Sequence, residues 1–285
     1  MKHAYLIIAH NEFEVLQQLL YTLDDVRNDI YIHFDKKLTD IPVLICIYAQ
    51  LHIIQDRVDV RWGHVSQIKT EYALFAEAYR RSPEYAYFHV MSGVHLPLFN
   101  QDYIHDFFHP KKGKQLIPKM ETSSFQSNLK MNRYNLFMPY FAHTNKFISR
   151  IAQIGWRLAQ NIQQRLHIRR YSRSDYQYGS NWVSLTPDAV AYLLSIRRQV
   201  LKRYKYTFCG DEFFVPTELS TSGLDFRIEY NDYLLKHAVG NANAKVYRIA
   251  DYEELAQSGC LFARKFSGAD MELINKIIEL NSMKG

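Results

Sequence analysis

The chain has 285 residues, 47% hydrophobic and 14% aromatic, with 35 basic against 29 acidic side chains for a net charge of +6. That length fits one large α/β domain or two small ones with a substantial core, and no apolar run reaches the roughly 18 residues that span a bilayer. MKHAYLIIAHN is too short for a secretory signal and lacks its cleavage site, and Cys46, Cys209 and Cys260 are odd in number and far apart, so a cytoplasmic chain without a disulfide framework is expected.

AYLIIAH reads as a buried first strand, and Asn11 with Glu14 three residues on predicts a capping box for a helix through about Leu23. IYIHF predicts a second strand ending at Asp35, and VDVRW a third. Ser66 is the expected cap of a helix whose Ile68, Tyr72, Leu74, Phe75, Ala78 and Tyr79 cover one broad face. YAYFHVM predicts a fourth strand, halted by Ser92–Gly93. This alternation argues for a Rossmann-like α/β fold, a mostly parallel sheet with helices on both faces. Ligands of such sheets sit beyond the carboxyl ends of the strands. That rule gathers His10–Asn11, Asp35–Lys36 and Ser92–Gly93–Val94–His95 around one mouth.

Between Thr122 and Ser174 there is no acid, while Lys130, Arg133, Lys146, Arg150, Arg157, Arg165, Arg169, Arg170 and Arg173 all fall there. Within it, over 146–168, Ile148, Ile151, Gly155, Leu158, Ile162 and Leu166 recur at helical spacing with most arginines off that stripe. Such a helix either packs its apolar face on its own domain or lies on an anionic membrane. Nucleic acid is not expected, because no zinc-finger spacing, RNP-like strand or basic repeat accompanies the charge.

Further on, GSNWVSL predicts a strand running into Thr186–Pro187–Asp188, where a cap, a first-turn proline and an acid mark a helix start. FCGDEFFVPTEL predicts a turn presenting Asp211 and Glu212 among aromatics, and Leu273, Ile274, Ile277 and Ile278 build a final amphipathic helix. LFARKF, between them, sets Arg264 and Lys265 in an apolar frame. Cations are normally left in water, so this phrase is either a surface strand edge or helix cap, or the dock of something doubly negative. With no linker or repeat, 1–285 reads as a single domain.

Gly-rich phosphate loops, His-Glu-x-x-His, paired CxxC and G-x-S-x-G are all missing, which argues against P-loop enzymes, zincins, zinc ribbons and α/β-hydrolases. No two aspartates stand at i and i+2, the pattern that holds a divalent ion on a sugar nucleotide's diphosphate in many α/β transferases. His95, after YAYFHVM, is either a lone metal ligand or a hydrogen-bonded loop histidine.

IYIHFDKK, WGHVSQIKTE, YFHVMSGVHLPL, YGSNWVSLTPDAVAYLL, GDEFF and LFARKF, in that order, resemble the core-2/I-branching β-1,6-N-acetylglucosaminyltransferase family, which also holds the peptide xylosyltransferases and many bacterial members. The resemblance spans nearly the whole chain. It implies a GT-A type glycosyltransferase fold, a UDP-sugar donor, inversion at the anomeric carbon, and a basic pair in place of a metal on the diphosphate, so no cofactor. Residues of about 1–110 would then form the nucleotide-sugar half, and about 111–285 the acceptor and catalytic half. Lys265 matches the lysine of LFA-x-KF. Its partner is best matched by Arg248 in VYRIADYEEL, although the spacing to Asp251 is shorter than in the animal enzymes, and Arg264 is the alternative. The catalytic carboxylate falls on Glu212, with Asp211 structural. Asp35 resembles the donor-pocket aspartate, with His10 and Ser92 near the uridine, and Trp182 is either core or a platform for an acceptor sugar. His95 stands where much of the family has aspartate in SG-x-D-x-PL.

These roles have a physical basis. The UDP leaving group gains negative charge as the glycosidic bond breaks, so preorganised cations favour the transition state over the ground state. Glu212 would accept the acceptor's hydroxyl proton, and Phe208, Phe213 and Phe214 are expected to raise its pKa by desolvation. Without the family, Glu212 reads equally well as a helix N-terminal acid. The expected protein is a cytoplasmic, bacterial-style enzyme, peripheral on the inner face of the membrane, acting on a glycan or lipid-linked saccharide. The alternative is a non-catalytic glycan- or membrane-associated binding protein that keeps the fold.

Overall fold

His3–Ala9, the first apolar run, is buried at every residue but Ile8 and forms β1. Its side chains alternate between two cores: Tyr5, Ile7 and Ala9 enter one, Ala4 and Leu6 the other. A strand covered on both faces needs no polar side, which is why the run is continuously apolar.

The computed structural model describes residues 1–171, 175–238 and 244–283, so Arg173 lies outside the described residues. The first half runs β1, α1 (Phe13–Leu23), β2 (Asn28–Phe34), β3 (Gln50–Ile53), α2 (Ser66–Arg81), β4 (Tyr87–Ser92), β5 (His95–Pro97) and α3 (Gln101–Phe108). There follow β6 (Lys114–Pro118), α4 (Ser124–Met131), α5 (Lys146–Arg165), β7 (Ser184–Leu185), α6 (Pro187–Ser195), α7 (Arg197–Arg203) and α8 (Asp211–Ser220). The chain then adds β8 (Arg227–Asn231), β9 (Leu235–His237), α9 (Tyr252–Ala256), β10 (Phe262–Arg264) and α10 (Met271–Met283).

The main sheet has the order β3-β2-β1-β4-β7-β6-β8. β1 to β4 are mutually parallel, β7 runs against both its neighbours, and β8 is parallel to β6. This is the mostly parallel α/β sheet expected from the alternation of elements. A smaller sheet, β5-β10-β9, lies beside it with LFARKF at its centre. α1 and α10 pack over one face, and α2, α6 and α8 over the other.

Several local expectations gave way to tertiary contacts. The Asn11–Glu14 capping box does not form; Glu12, at φ 54°, precedes α1, and its carboxylate accepts from Ser267 Oγ (2.9 Å) and Gly268 N (2.7 Å) in the C-terminal tail. VDVRW is not a strand. It is tied to the end of β2 by Val58 N donating to His33 Nε2 (2.8 Å), and QLHI supplies the ladder instead as β3. Ser66 is the first residue of α2 rather than its cap, and its hydroxyl accepts from Arg61 N at 2.7 Å. Only Ser184–Leu185 of GSNWVSL are strand. Thr186 does hold the cap position of α6, but its hydroxyl accepts from Gln115 Nε2 (2.8 Å) rather than from the helix. The segment expected as a turn at GDEFF is the first turn of α8.

Candidate active site

The parallel strands end together. Asp35 N donates to Ala9 O (3.1 Å) and Gly93 N to Ile8 O (3.0 Å), which sets His10, Asp35 and Ser92 at adjoining carboxyl ends, as expected. The Asp35 carboxylate accepts from Lys37 Nζ (2.6 Å) and Lys37 N (2.9 Å), so its charge is already answered locally. His10 is exposed, and partial desolvation by the protein around it lowers its pKa; Asp35 opposes the drop, while Lys265, Lys37 and Arg264 add to it. Ser92 Oγ shares a hydrogen bond with His95 Nδ1 (2.9 Å) and accepts from Arg264 Nε (3.3 Å). His95 Nδ1 also accepts from Ser92 N at 3.0 Å. Burial, then Arg264, holds the His95 pKa well below the usual imidazole value. Its Nδ1 is hydrogen-bonded, as in the second of the two alternatives, but the residue opens β5 instead of lying in a loop.

LFARKF resolves as a central strand with a cationic end. Phe262, Ala263 and Phe266 are buried and fix β10, whose Arg264 backbone pairs with His95 on one side and His237 on the other. The Arg264 guanidinium lies over the Trp182 ring, 4.9 Å from its centroid. Loss of water pulls its pKa down to about 10, which still leaves it charged at neutral pH. Partial burial lowers the Lys265 pKa, Arg264 lowers it further, and Glu12 acts the other way. No ion pair involves Arg264, Lys265 or Arg248 among the described residues. Arg248 is exposed, and the residue before it joins the pair through Tyr247 N donating to Lys265 O at 2.9 Å. Trp182 is half-buried, its ring centroid 5.1 Å from that of His95 in an edge-on arrangement, so it serves as the bed of the cation.

Glu212 stands in the first turn of α8, part-exposed. Its Oε2 accepts from Lys130 Nζ (2.8 Å) and Tyr178 OH (3.0 Å), while no hydrogen bond to Oε1 is formed among the described residues. Phe213 and Phe214 point into the core, and Phe208 packs on Trp62, Phe141 and Trp156. The desolvated acid is Asp211: burial, then the charge of Glu212, pushes it up to about 7. Gln67 Nε2 donates to its Oδ2 at 2.9 Å. Glu71, buried on α2, is raised well above the carboxylate range by burial and then by Asp211. The strip from Tyr178 to Trp182 joins this acidic end to the cations, a backbone distance of at most about 15 Å.

Lys130, Tyr178, Gln67 and Glu71 were not singled out from sequence. Glu71 and Gln67 lie inside WGHVSQIKTE and Tyr178 inside YGSNW, but nothing local distinguishes a buried helix acid from an exposed one. Lys130 was counted only as part of a basic stretch. Among the described residues, no three His, Cys, Asp or Glu side chains cluster as a metal site would require. A cavity of about 280 Å³ lies at the amino ends of β6 and β8 near Gly113 and Arg227, at the opposite end of those strands from their carboxyl termini.

Arg264 and Lys265, without an ion pair among the described residues, thus stand by the strand ends, and Glu212 opens α8 with one carboxylate oxygen held by Lys130 and Tyr178. The family model described as Core-2/I-Branching enzyme matches residues 3–239, and the chain belongs to that family of UDP-sugar-dependent glycosyltransferases. The matched residues include Glu212 and stop short of Arg248, Arg264 and Lys265. Among solved structures, the apo form of mouse xyloside xylosyltransferase 1 is similar at a TM-score of 0.42 and 9% identity, over 91% of this chain and 96% of that one. No curated protein matches.

Proposed function

We propose that the enzyme moves a sugar, N-acetylglucosamine or another UDP-linked sugar, to a hydroxyl of a glycan or lipid-linked saccharide in bacterial surface polysaccharide synthesis. The transfer inverts the anomeric carbon and needs no divalent metal. The enzyme would work in the cytoplasm at the inner face of the membrane, with about 1–110 holding the nucleotide and about 111–285 the acceptor.

In this reading Lys265 and Arg264 hold the diphosphate, with Arg248 at the rim, and His10, Asp35 and Ser92 face the nucleoside. The acceptor oxygen attacks the anomeric carbon as the bond to the diphosphate oxygen breaks. The bonding electrons leave with UDP, and the hydroxyl proton passes to Glu212 Oε1. Lys130 and Tyr178 hold the carboxylate in place through Oε2. Trp182, beyond supporting Arg264, would present its free edge to the acceptor.

The observation that carries the reading is the neighbouring pair Arg264, largely buried, and Lys265, partly buried, with no ion pair to a carboxylate among the described residues. Two such charges destabilise a fold unless an anion compensates them. Glu212→Gln is expected to lose transfer by about 10²–10⁴-fold while binding UDP as the parent does. Lys265→Ala is expected to weaken UDP binding about tenfold or more. Transfer at the parental rate by the Gln variant would remove Glu212 as the base. Unchanged UDP affinity in Lys265→Ala would remove the cation pair.

A further inference from the structure

α5 is mounted inside out. Its polar residues face the protein: Gln163 Oε1 accepts from Tyr134 N (2.8 Å) and its Nε2 donates to Tyr134 O (2.9 Å). Gln160 Nε2 donates to Asn135 Oδ1 (3.1 Å), and Ser149 Oγ to Phe141 O (2.7 Å). Trp156 Nε1 also donates to Asn135 Oδ1, at 2.9 Å. The apolar stripe that would ordinarily make the core points away: Ile151 is 55% exposed, Leu158 57% and Ile162 56%. Ile148, Ile154 and Leu166 continue the same exposed band. The buried glutamines and the half-buried Trp156 donor make this orientation a property of the fold, because rotating the helix would break each of those bonds.

Along the band lie Lys146, Arg150, Arg157, Arg165 and Arg169, all exposed, and the chain carries no acid from 122 to 174. A contiguous apolar face of this kind on a soluble surface marks an interaction site. The charge decides the partner. A second copy seated on the same face would bring two sets of these cations together with no carboxylate in the segment to answer them, which like-charge contact disfavours. An anionic lipid leaflet answers both features, with acyl chains for the stripe and phosphate headgroups for the arginines. No described helix is long and apolar enough to cross a membrane, so the contact is in the plane of the interface.

We propose that α5 docks the enzyme on an anionic membrane by inserting its Ile148–Leu166 band among the lipids, with Arg150 and Arg157 at the headgroups. This deepens the membrane placement in the reading above but rests on the outward stripe and its flanking cations, so it stands or falls separately from the transfer chemistry. The test is sedimentation of the full chain with phosphatidylglycerol vesicles and with phosphatidylcholine vesicles, beside light scattering in solution. The parent is expected to bind the anionic vesicles at least about tenfold better. The triple variant I151S/L158S/I162S, altered only where the chain meets solvent, is expected to lose about a hundredfold in partitioning. Its circular dichroism and soluble UDP binding are expected to match the parent. Absence of parental binding to anionic vesicles would overturn the proposal. So would binding that survives the triple variant, or a parental dimer that the variant turns into monomer.

Discussion

Arg264 and Asp211 are both held out of water, and burial moves their pKa values in opposite directions, to about 10 and about 7 respectively. The arginine stays charged across the working range and is ready for an anion. Asp211 titrates within that range. Its ordinary value is 3.8, so between that and about 7 the native state holds a proton that the unfolded chain has released. Stability contributed at this position is therefore present at low pH and is lost as pH rises through that window. Asp211→Asn, which cannot titrate, is expected to gain on the parent by roughly 1–3 kcal/mol between pH 4 and pH 8. Urea denaturation at the two pH values measures it, and a difference that does not change with pH would show that Asp211 is not the desolvated acid.

At the scale of elements, α2 and α5 look alike in sequence and are opposites in the fold. Both carry apolar residues at helical spacing with basic residues between. In α2 the stripe is the core: Ile68, Tyr72, Leu74 and Phe75 are fully buried beneath the sheet. In α5 the stripe is outside. Phe75→Ala is thus expected to cost about 3–5 kcal/mol of stability, and Leu158→Ala to stay within about 0.5 kcal/mol of the parent, both read from urea midpoints. A large loss from the α5 substitution would mean that its band is covered by the chain itself. α8 shows a different ambiguity. Its first turn carries both acids, and packing sends one inward to Gln67 and leaves the other to meet Lys130.

At the scale of the molecule, the site is assembled from three places far apart in the chain: the ends of β1, β2 and β4, the start of α8, and β10. The C-terminal tail is tied to the front of the molecule through Glu12, which accepts from Ser267 and Gly268. The proposed metal-free hold of this tail on the diphosphate has a direct consequence. UDP at about a hundred times its dissociation constant is expected to stabilise the native state by about 2.7 kcal/mol. Thermal shifts should be equal in EDTA and in magnesium or manganese. A shift that appears only with the divalent ion would end the metal-free reading, while leaving the family and the fold as they are.

The amino-acid sequence by itself determined the alternating elements of the parallel sheet, the strand ends that carry His10, Asp35 and Ser92, and the order of motifs that shows the family. Those follow from local periodicity and from the rule that continuous apolar runs become doubly covered strands. Tertiary structure alone decided which face of the basic helix meets solvent, which of two adjacent acids is desolvated, and that Arg264 rather than the exposed Arg248 lies beside Trp182 and Ser92. It also overrode the caps proposed at Asn11 and Ser66. Each of these turns on partners remote in the chain, such as Asn135, Gln67 or Ser267. No pattern confined to a few neighbouring residues records which distant group will arrive to make the bond.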